Sequence, residues 1–174
     1  YFNENILMCY TITKTNTFNH IINMMDISTL NYGIYTNPLI LSLLYNEDVL
    51  NTIINNKNLL SFFINKNDQY GVSCLIYSLL NNPSIFKILM ESEFCTQDLV
   101  NTPCENYGNI LLASIKFQPS LTHYILTSKF MNYQLMTGTT TYKNGISKNI
   151  LLESLCNMEL FWKIITHEYF NEEL

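Results

Sequence analysis

The chain has 174 residues, of which 48% are apolar and 13% charged, and its net charge is −5. That apolar content is sufficient for a buried core, which excludes a disordered polar chain. Arginine is absent, the lysines are scattered, and no apolar run approaches the length of a membrane span, so we expect neither a nucleic-acid partner nor a membrane segment.

The predicted elements begin with an incomplete, capping helix pair over residues 1–29, formed by "NILMCYTI" and "TFNHIINMM". Four similar segments follow, and each contains an isolated glycine ahead of an apolar run. The glycines are 38, 37 and 37 residues apart, at Gly33, Gly71, Gly108 and Gly145. A fixed period of this size is typical of repeat proteins. It predicts four further units, at 30–66, 67–103, 104–141 and 142–174.

Each unit has a predicted first helix that carries a leucine and, three residues later, a serine. The pairs are Leu39 and Ser42, Leu75 and Ser78, Leu111 and Ser114, and Leu151 and Ser154. A helix that packs closely against neighbours needs a small residue where the helix axes approach. We therefore predict that these serines are buried, with each hydroxyl donating to the carbonyl four residues earlier.

A second helix is predicted after a polar break in each unit. Its apolar positions are Val49, Ile53 and Ile54; Ile85, Ile88 and Leu89; Leu121, Ile125 and Leu126; and Leu160, Ile164 and Ile165. One helix pair cannot bury its apolar face alone, so stacking of the pairs must supply the core. We predict an all-α fold, an α-solenoid of stacked helix-turn-helix repeats in one domain over residues 1–174. A single globular bundle is the structural alternative.

The segment "NDQYGVSCLIYSLL" resembles the ankyrin repeat, which has a turn, two helices and a T-P-L-H-x-A signature. Asp68 and Gly71 match the family's D-x-x-G turn. The T-P-L-x-x-A positions are matched by Ser73, Cys74, Leu75 and Ser78. The resemblance covers about residues 30–166. It departs from the family in lacking the histidine after the leucine, in having serine as the small residue, and in its longer period.

This resemblance implies that the glycine turns project as fingers, and that another protein binds the fingertips and the concave face of the first helices. The candidate contact residues are Tyr32, Tyr35, Asp68, Gln69, Tyr70, Glu105, Asn106, Tyr107, Tyr142 and Lys143. Tyrosine buries a large area at low entropic cost and keeps a polar end, which suits an interface. The alternative is that these rings brace the neighbouring finger.

The chain is rich in amino acids whose codons contain mostly A and T. In this respect it also resembles the ankyrin proteins of large DNA viruses and of protists with AT-rich genomes. That likeness implies an adaptor that recruits host proteins.

The longest connection, Met131–Gly145, is predicted to form an extended finger with a role in specificity; an insertion without a contact role is the alternative. Trp162 is predicted to pack beneath the end of the last unit or to dock on a further domain.

No pattern in the chain predicts catalysis. The glycines are isolated, so no phosphate-binding loop is expected. A zinc site from Cys95, Cys104 and His123 lacks a fourth ligand and fits no known spacing. A cysteine–histidine nucleophilic pair stays open, although Cys74 and Cys156 are predicted to be small core residues.

We therefore predict a non-catalytic protein-binding monomer that needs no cofactor or metal. The alternatives are a regulatory or catalytic helical-repeat domain with a small-molecule pocket, and a structural spacer.

The five cysteines include no CxxC pair and favour reduced thiols in an intracellular protein. They are Cys9, Cys74, Cys95, Cys104 and Cys156. The first residues lack the basic segment of a signal peptide and start inside a helical pattern. We therefore expect a cytoplasmic fragment of a longer protein.

Overall fold

The computed structural model describes residues 11, 15–24, 37–141 and 147–171. The described chain is mostly helical, as predicted, and contains one short two-stranded ribbon. Its contacts divide it into two compact units, residues 1–95 and residues 96–174. The boundary falls inside the predicted repeat 67–103.

The first unit contains six described helices. They are α1 (Thr15–Met24), α2 (Pro38–Tyr45), α3 (Glu47–Asn55), α4 (Lys57–Phe63), α5 (Cys74–Asn81) and α6 (Pro83–Glu91). Helix α1 confirms the second member of the predicted N-terminal pair, whereas most of the first member lies outside the described residues.

The second unit contains seven described helices and the ribbon. In chain order they are α7 (Gln97–Asn101), α8 (Ile110–Phe117), α9 (Pro119–Leu126), α10 (Tyr133–Met136), β1 (Thr139–Thr141), β2 (Ser147–Asn149), α11 (Ile150–Ser154), α12 (Met158–Ile165) and α13 (Glu168–Asn171). The strands are antiparallel, with Thr139 opposite Asn149 and Thr141 opposite Ser147. Among the helices described here, none has the length and hydropathy required to cross a membrane.

From α2 onward the helices follow one another in triplets of a first, a second and a short third helix. The triplets are α2–α4, α5–α7, α8–α10 and α11–α13. The prediction of two helices per unit was incomplete, because it missed the third helices of four to seven residues. The third helix adds four to seven helical residues to each unit.

The capping residue of each first helix lies at a constant sequence distance from the leucine and the serine of that helix. Its side-chain oxygen accepts from the backbone amide three residues later, at 3.0, 3.4, 2.9 and 2.9 Å for Asn37, Ser73, Asn109 and Asn149. The predicted leucine always lies two residues after the cap, and the serine lies five residues after it. The local geometry of the first helix therefore repeats even where the turn before it varies in length.

The four serines are buried, as predicted, at Ser42, Ser78, Ser114 and Ser154. Their hydroxyls donate to the carbonyl three residues earlier, which belongs to the paired leucine, at 2.8 to 3.0 Å. The predicted acceptor, four residues earlier, was wrong. The serine thus combines a small volume with an internally satisfied hydroxyl at a position that excludes water.

Asparagine side chains cap many of the described helices. Eight of the helices are capped by its side chain, at Asn37, Asn46, Asn56, Asn82, Asn109, Asn132, Asn149 and Asn157. Each such cap contributes about 1 kcal/mol. Helices of four to ten residues are unstable in isolation, so these caps and the packing between helices must sustain them.

The buried faces of the second helices lie three and seven residues after the second-helix cap. These positions are Val49 and Ile53, Ile85 and Leu89, Leu121 and Ile125, and Leu160 and Ile164; Ile85 is half-buried and the others are buried. The prediction of Ile88 as an apolar position of the second helix in the second unit was wrong, because Ile88 is 45% exposed. Phe86 and Met90 complete the buried face of α6.

Successive triplets pack through their first helices within each compact unit. Helix α2 packs against α5 in the first unit, and α8 packs against α11 in the second. In the second unit the third helix α10 also contacts α13. Each unit thus contains a contact between the first helices of two neighbouring triplets.

Candidate functional site: the turns before the first helices

The turn from Asp68 to Val72 precedes α5 and is built around the carboxylate of Asp68. One carboxylate oxygen accepts from the amides of Tyr70 and Val72 at 2.9 and 2.8 Å. The other accepts from the Tyr77 hydroxyl at 2.8 Å. Because Tyr77 belongs to α5, this bond fixes the turn to the helix that follows it.

Asp68 is buried, which corrects its prediction as a surface contact: its carboxylate forms the frame of the turn. Gln69 and Tyr70 are the exposed residues at the tip, and Tyr70 is 65% exposed. Gly71 follows with φ +73°, a conformation that glycine adopts without the steric cost of a Cβ.

The turn from Cys104 to Gly108 precedes α8 and is closed by two backbone bonds. Cys104 donates to the Gly108 carbonyl at 2.9 Å, and Gly108 donates back at 2.7 Å. Glu105 and Asn106 are exposed at its tip. Tyr107 is half-buried, and its ring meets the Phe117 ring edge-on with centroids 5.7 Å apart. Tyr107 therefore braces its own turn against the end of α8, whereas the alternative considered for the tyrosines was contact with the neighbouring finger.

The glycines of these two turns, Gly71 and Gly108, do not occupy equivalent places. Asp68 and Cys104 start the turns and are 36 residues apart, whereas Gly71 and Gly108 are 37 apart. Tyr107 consequently takes the place of Gly71 and not that of Tyr70. The tyrosine that precedes the glycine thus has a different role in each turn, with an exposed ring at Tyr70 and a bracing ring at Tyr107.

The predicted extended finger starts later than expected. Within Met131–Gly145, residues 133–136 form α10, where Leu135 and Met136 are buried. The extended part is the β1–β2 ribbon, which leads directly into α11. Four predicted contact residues lie outside the described residues: Tyr32, Tyr35, Tyr142 and Lys143.

Asp68→Ala is expected to lower the free energy of unfolding by about 2 kcal/mol, because the two amides and the Tyr77 hydroxyl lose a charged acceptor. Tyr70→Ser at the same tip is expected to change stability by less than about 0.5 kcal/mol. Urea unfolding of both variants beside the parent chain measures the difference. Equal stability of all three proteins would show that the carboxylate does not hold the turn.

The nucleophilic and metal-ligating side chains are dispersed in the described part of the chain. Nowhere in it do three side chains of His, Cys, Asp or Glu come together to hold a metal ion. His123 of the hypothetical zinc site is exposed. His167 is fixed at the end of α12, within 3.2 Å of the Leu126 carbonyl and stacked on the Tyr169 ring.

The described cysteines fall into two classes. Cys74, Cys95 and Cys104 are buried, as predicted for Cys74, whereas Cys156 is exposed between α11 and α12, where a core position was predicted. Burial, with a smaller contribution from Cys95, raises the pKa of the Cys74 thiol. A thiol held protonated is a poor nucleophile, so Cys74 is unsuited to covalent catalysis.

Cys156 is expected to react with iodoacetamide at least about tenfold faster than Cys74, Cys95 or Cys104 in the folded protein. Peptide mapping by mass spectrometry after timed alkylation measures the four rates. In urea the rates should become similar, which controls for sequence effects. Rapid alkylation of Cys74, Cys95 or Cys104 in the folded state would contradict their assignment as buried, unreactive thiols. It would also favour the enzyme hypothesis.

Two features of these sites escaped prediction from the sequence. Three of the four first-helix caps are asparagines and were hidden by the abundance of that residue, although every first-helix cap stands two residues before the paired leucine. The third helices carry a polar residue three positions before a pair of apolar residues, as in Asn56, Thr96 and Asn132. Aligning the units on the leucine instead of the glycine reveals both signals.

Neither a known family model nor a curated protein nor a solved structure matches this chain.

Proposed function

We propose that this protein is a non-catalytic interaction module of stacked ankyrin-like repeats, which binds another protein through the tips of its turns and the concave face of its first helices. The observation that carries the proposal is Tyr70, a large aromatic side chain held exposed on a turn whose backbone is fixed by Asp68. An aromatic side chain on a fixed backbone loses less entropy on binding than one on a mobile loop, which suits an interface anchor.

Similar support exists at the second turn. Glu105 and Asn106 are exposed on a backbone closed by the bonds between Cys104 and Gly108. These tips carry amide, acidic and phenolic groups. A partner that offers hydrogen-bond donors and an apolar pocket for Tyr70 suits them better than a polyanion does.

Each triplet has one helix more than the two helices of an ankyrin repeat. The third helix is an addition to the turn and two helices of the ankyrin repeat, and the frame from cap to leucine to serine is maintained around it. We infer that this protein is a divergent repeat protein of the solenoid class. A cytoplasmic adaptor of viral or protist origin, acting on host proteins, is the biological role that we propose for it.

The test compares three versions of the full chain as bait in lysate of the source cell. Tyr70→Ser removes the exposed ring from the tip, and Ile88→Ser removes an exposed apolar side chain from the second helix α6 as the matched control. A captured protein is identified by mass spectrometry, purified and titrated against each version.

We expect Tyr70→Ser to weaken binding at least about tenfold, with Ile88→Ser close to the parent chain. Equal affinity for all three would exclude this tip as a contact. Failure to retain any protein specifically would favour the spacer hypothesis.

A further inference from the structure

His167 lies between α12 and α13, where the other triplets have the capping residue of their third helix. The residue directly before each of those third helices is Asn56, Thr96 or Asn132, and its side-chain oxygen accepts from a backbone amide of the helix. His167 directly precedes α13, and its Nδ1 accepts from the Tyr169 amide at 3.4 Å. The last triplet therefore has a ring nitrogen as the acceptor where the others have an oxygen.

The two hydrogen bonds of the His167 ring are compatible with one tautomer. Its Nε2 lies 3.2 Å from the carbonyl oxygen of Leu126, which is the last residue of α9. A carbonyl oxygen can only accept, so Nε2 must carry a hydrogen. The Tyr169 amide can only donate, so Nδ1 must present a lone pair. The neutral imidazole with its hydrogen on Nε2 satisfies both groups, and the imidazolium does not.

A proton added at Nδ1 has opposite effects on the two sides of the ring. The bond from Nε2 to Leu126 persists and becomes charge-assisted, at the carboxyl end of α9, where the helix dipole favours a cation. The bond from the Tyr169 amide is lost, because two N–H groups then face each other. The new charge also lies at the amino end of α13, where the dipole disfavours it. The protonated ring therefore remains bonded to α9 and loses its bond to α13.

The neighbouring charges leave this difference between the two sides in place. The titratable residues on the elements packed around His167 and α13 are Glu168 and Tyr169 on α13, Glu159 and Lys163 on α12, His123 and Tyr124 on α9, and Tyr133 on α10. Lys163 donates to Glu159 at 2.7 Å, so these two charges neutralise each other. Glu168 is exposed, and water screens its attraction for an imidazolium.

The Tyr169 ring opposes the loss of the amide bond in part. It is stacked on the His167 ring, with centroids 5.5 Å apart and the planes 23° from parallel. A protonated imidazole gains a cation–π attraction in this geometry. Both residues are half-buried, and at such a site this attraction is weaker than the lost cap and the unfavourable dipole together.

Helix α13 is sensitive to its cap because it has only four residues. A helix of this length is unstable in isolation. It contacts α10 and α12, so its capping bond and this packing must hold it in place. Loss of the bond at Tyr169 therefore weakens the attachment of α13 to α10.

We propose that His167 is a pH-sensitive switch, which attaches α13 to α10 when its ring is neutral and loosens α13 when its ring is protonated. Imidazole groups change their charge between about pH 5 and 8, so the switch responds to mild acidification. The regulated element is the third helix of the last triplet.

The experiment follows the Tyr169 amide by hydrogen exchange, measured by NMR on the full chain at about pH 7.5 and pH 5.5. Exchange rates are divided by the intrinsic rate at each pH to give protection factors. The Leu112 amide is the internal reference, because it donates to the non-titrating side chain of Asn109. We expect protection of Tyr169 to fall about fivefold at the lower pH, with protection of Leu112 unchanged.

His167→Asn is the matched variant, because an asparagine side chain accepts a hydrogen bond and does not titrate. Asn56 forms the corresponding bond with the Asn58 amide at 3.1 Å, so the variant should retain the cap. We expect its Tyr169 amide to be equally protected at both pH values. His123→Asn removes an exposed histidine of α9 and should respond to pH as the parent chain does.

The nitrogen chemical shifts of the His167 ring give a test that requires no variant. They should show hydrogen on Nε2 and a lone pair on Nδ1 at neutral pH. Hydrogen on Nδ1 at neutral pH would overturn the proposal, as would equal protection of Tyr169 at both pH values in the parent chain. A pH response that persists in His167→Asn would place the switch in another residue and would overturn it too.

Discussion

Gly138→Ala is expected to lower the free energy of unfolding by about 3 kcal/mol, the sum of two buried hydrogen bonds and a steric displacement. A Cβ at this position would lie 1.9 Å from the Asn109 side-chain nitrogen and 2.7 Å from its Cγ. The Asn109 side chain is buried, and both its amide oxygen and its amide nitrogen are hydrogen-bonded. Its oxygen accepts from the Leu112 amide at 2.9 Å, and its nitrogen donates to the Leu135 carbonyl at 2.8 Å.

Displacing Asn109 therefore removes the cap of α8 and the bond that joins this cap to the end of α10. The same arrangement exists in the first unit, where the Asn37 nitrogen donates to the carbonyls of Phe63 and Lys66. The buried capping asparagine is thus a joint between the start of a triplet and its end. Gly138 supplies the space that the joint needs in the second unit.

Gly71→Ala is the matched control. Its φ of +73° imposes backbone strain, but no atom lies within 4 Å of the added Cβ, so a loss of about 1 kcal/mol is expected. Urea unfolding of both variants gives the comparison. In a double-mutant cycle, Asn109→Ala should absorb most of the effect of Gly138→Ala. Additive losses, or a smaller loss for Gly138→Ala than for Gly71→Ala, would refute the contact.

Ser114→Leu is expected to destabilise the protein by about 3 kcal/mol or more, because the site is fully buried and extra methylenes force neighbouring helices apart. The Ser114 hydroxyl donates to the Leu111 carbonyl at 2.8 Å and lies 3.0 Å from the Thr122 hydroxyl of α9. Since the one hydroxyl proton of Ser114 is used by Leu111, Thr122 is the donor in the second bond.

Alanine at the same site separates volume from hydrogen bonding. Ser114→Ala removes the acceptor of the buried Thr122 hydroxyl, so we expect a loss of about 2 kcal/mol. Ser78→Ala removes the bond to Leu75 and should cost about 1 kcal/mol or less. The free energies of unfolding of the three variants, measured in urea, test this order. If Ser114→Leu has the same free energy of unfolding as the parent chain, helix packing does not require a small residue in the first helices.

Local sequence patterns predicted the helical class, the first and second helices, and the burial of Ser42, Ser78, Ser114 and Ser154. These features depend on contacts between residues three or four apart, which the sequence displays directly. The third helices were missed because four to seven residues give too few apolar positions to reveal a period. The serine acceptor was misassigned because the carbonyls three and four residues earlier are both within reach of the hydroxyl.

Only the tertiary structure determines which side chains that are distant in sequence contact one another. Asp68 accepts from the Tyr77 hydroxyl of α5, Tyr107 braces α8 while Tyr70 is exposed, and Gly138 makes room for Asn109. No sequence period specifies these pairs, because they join residues whose proximity is created by packing.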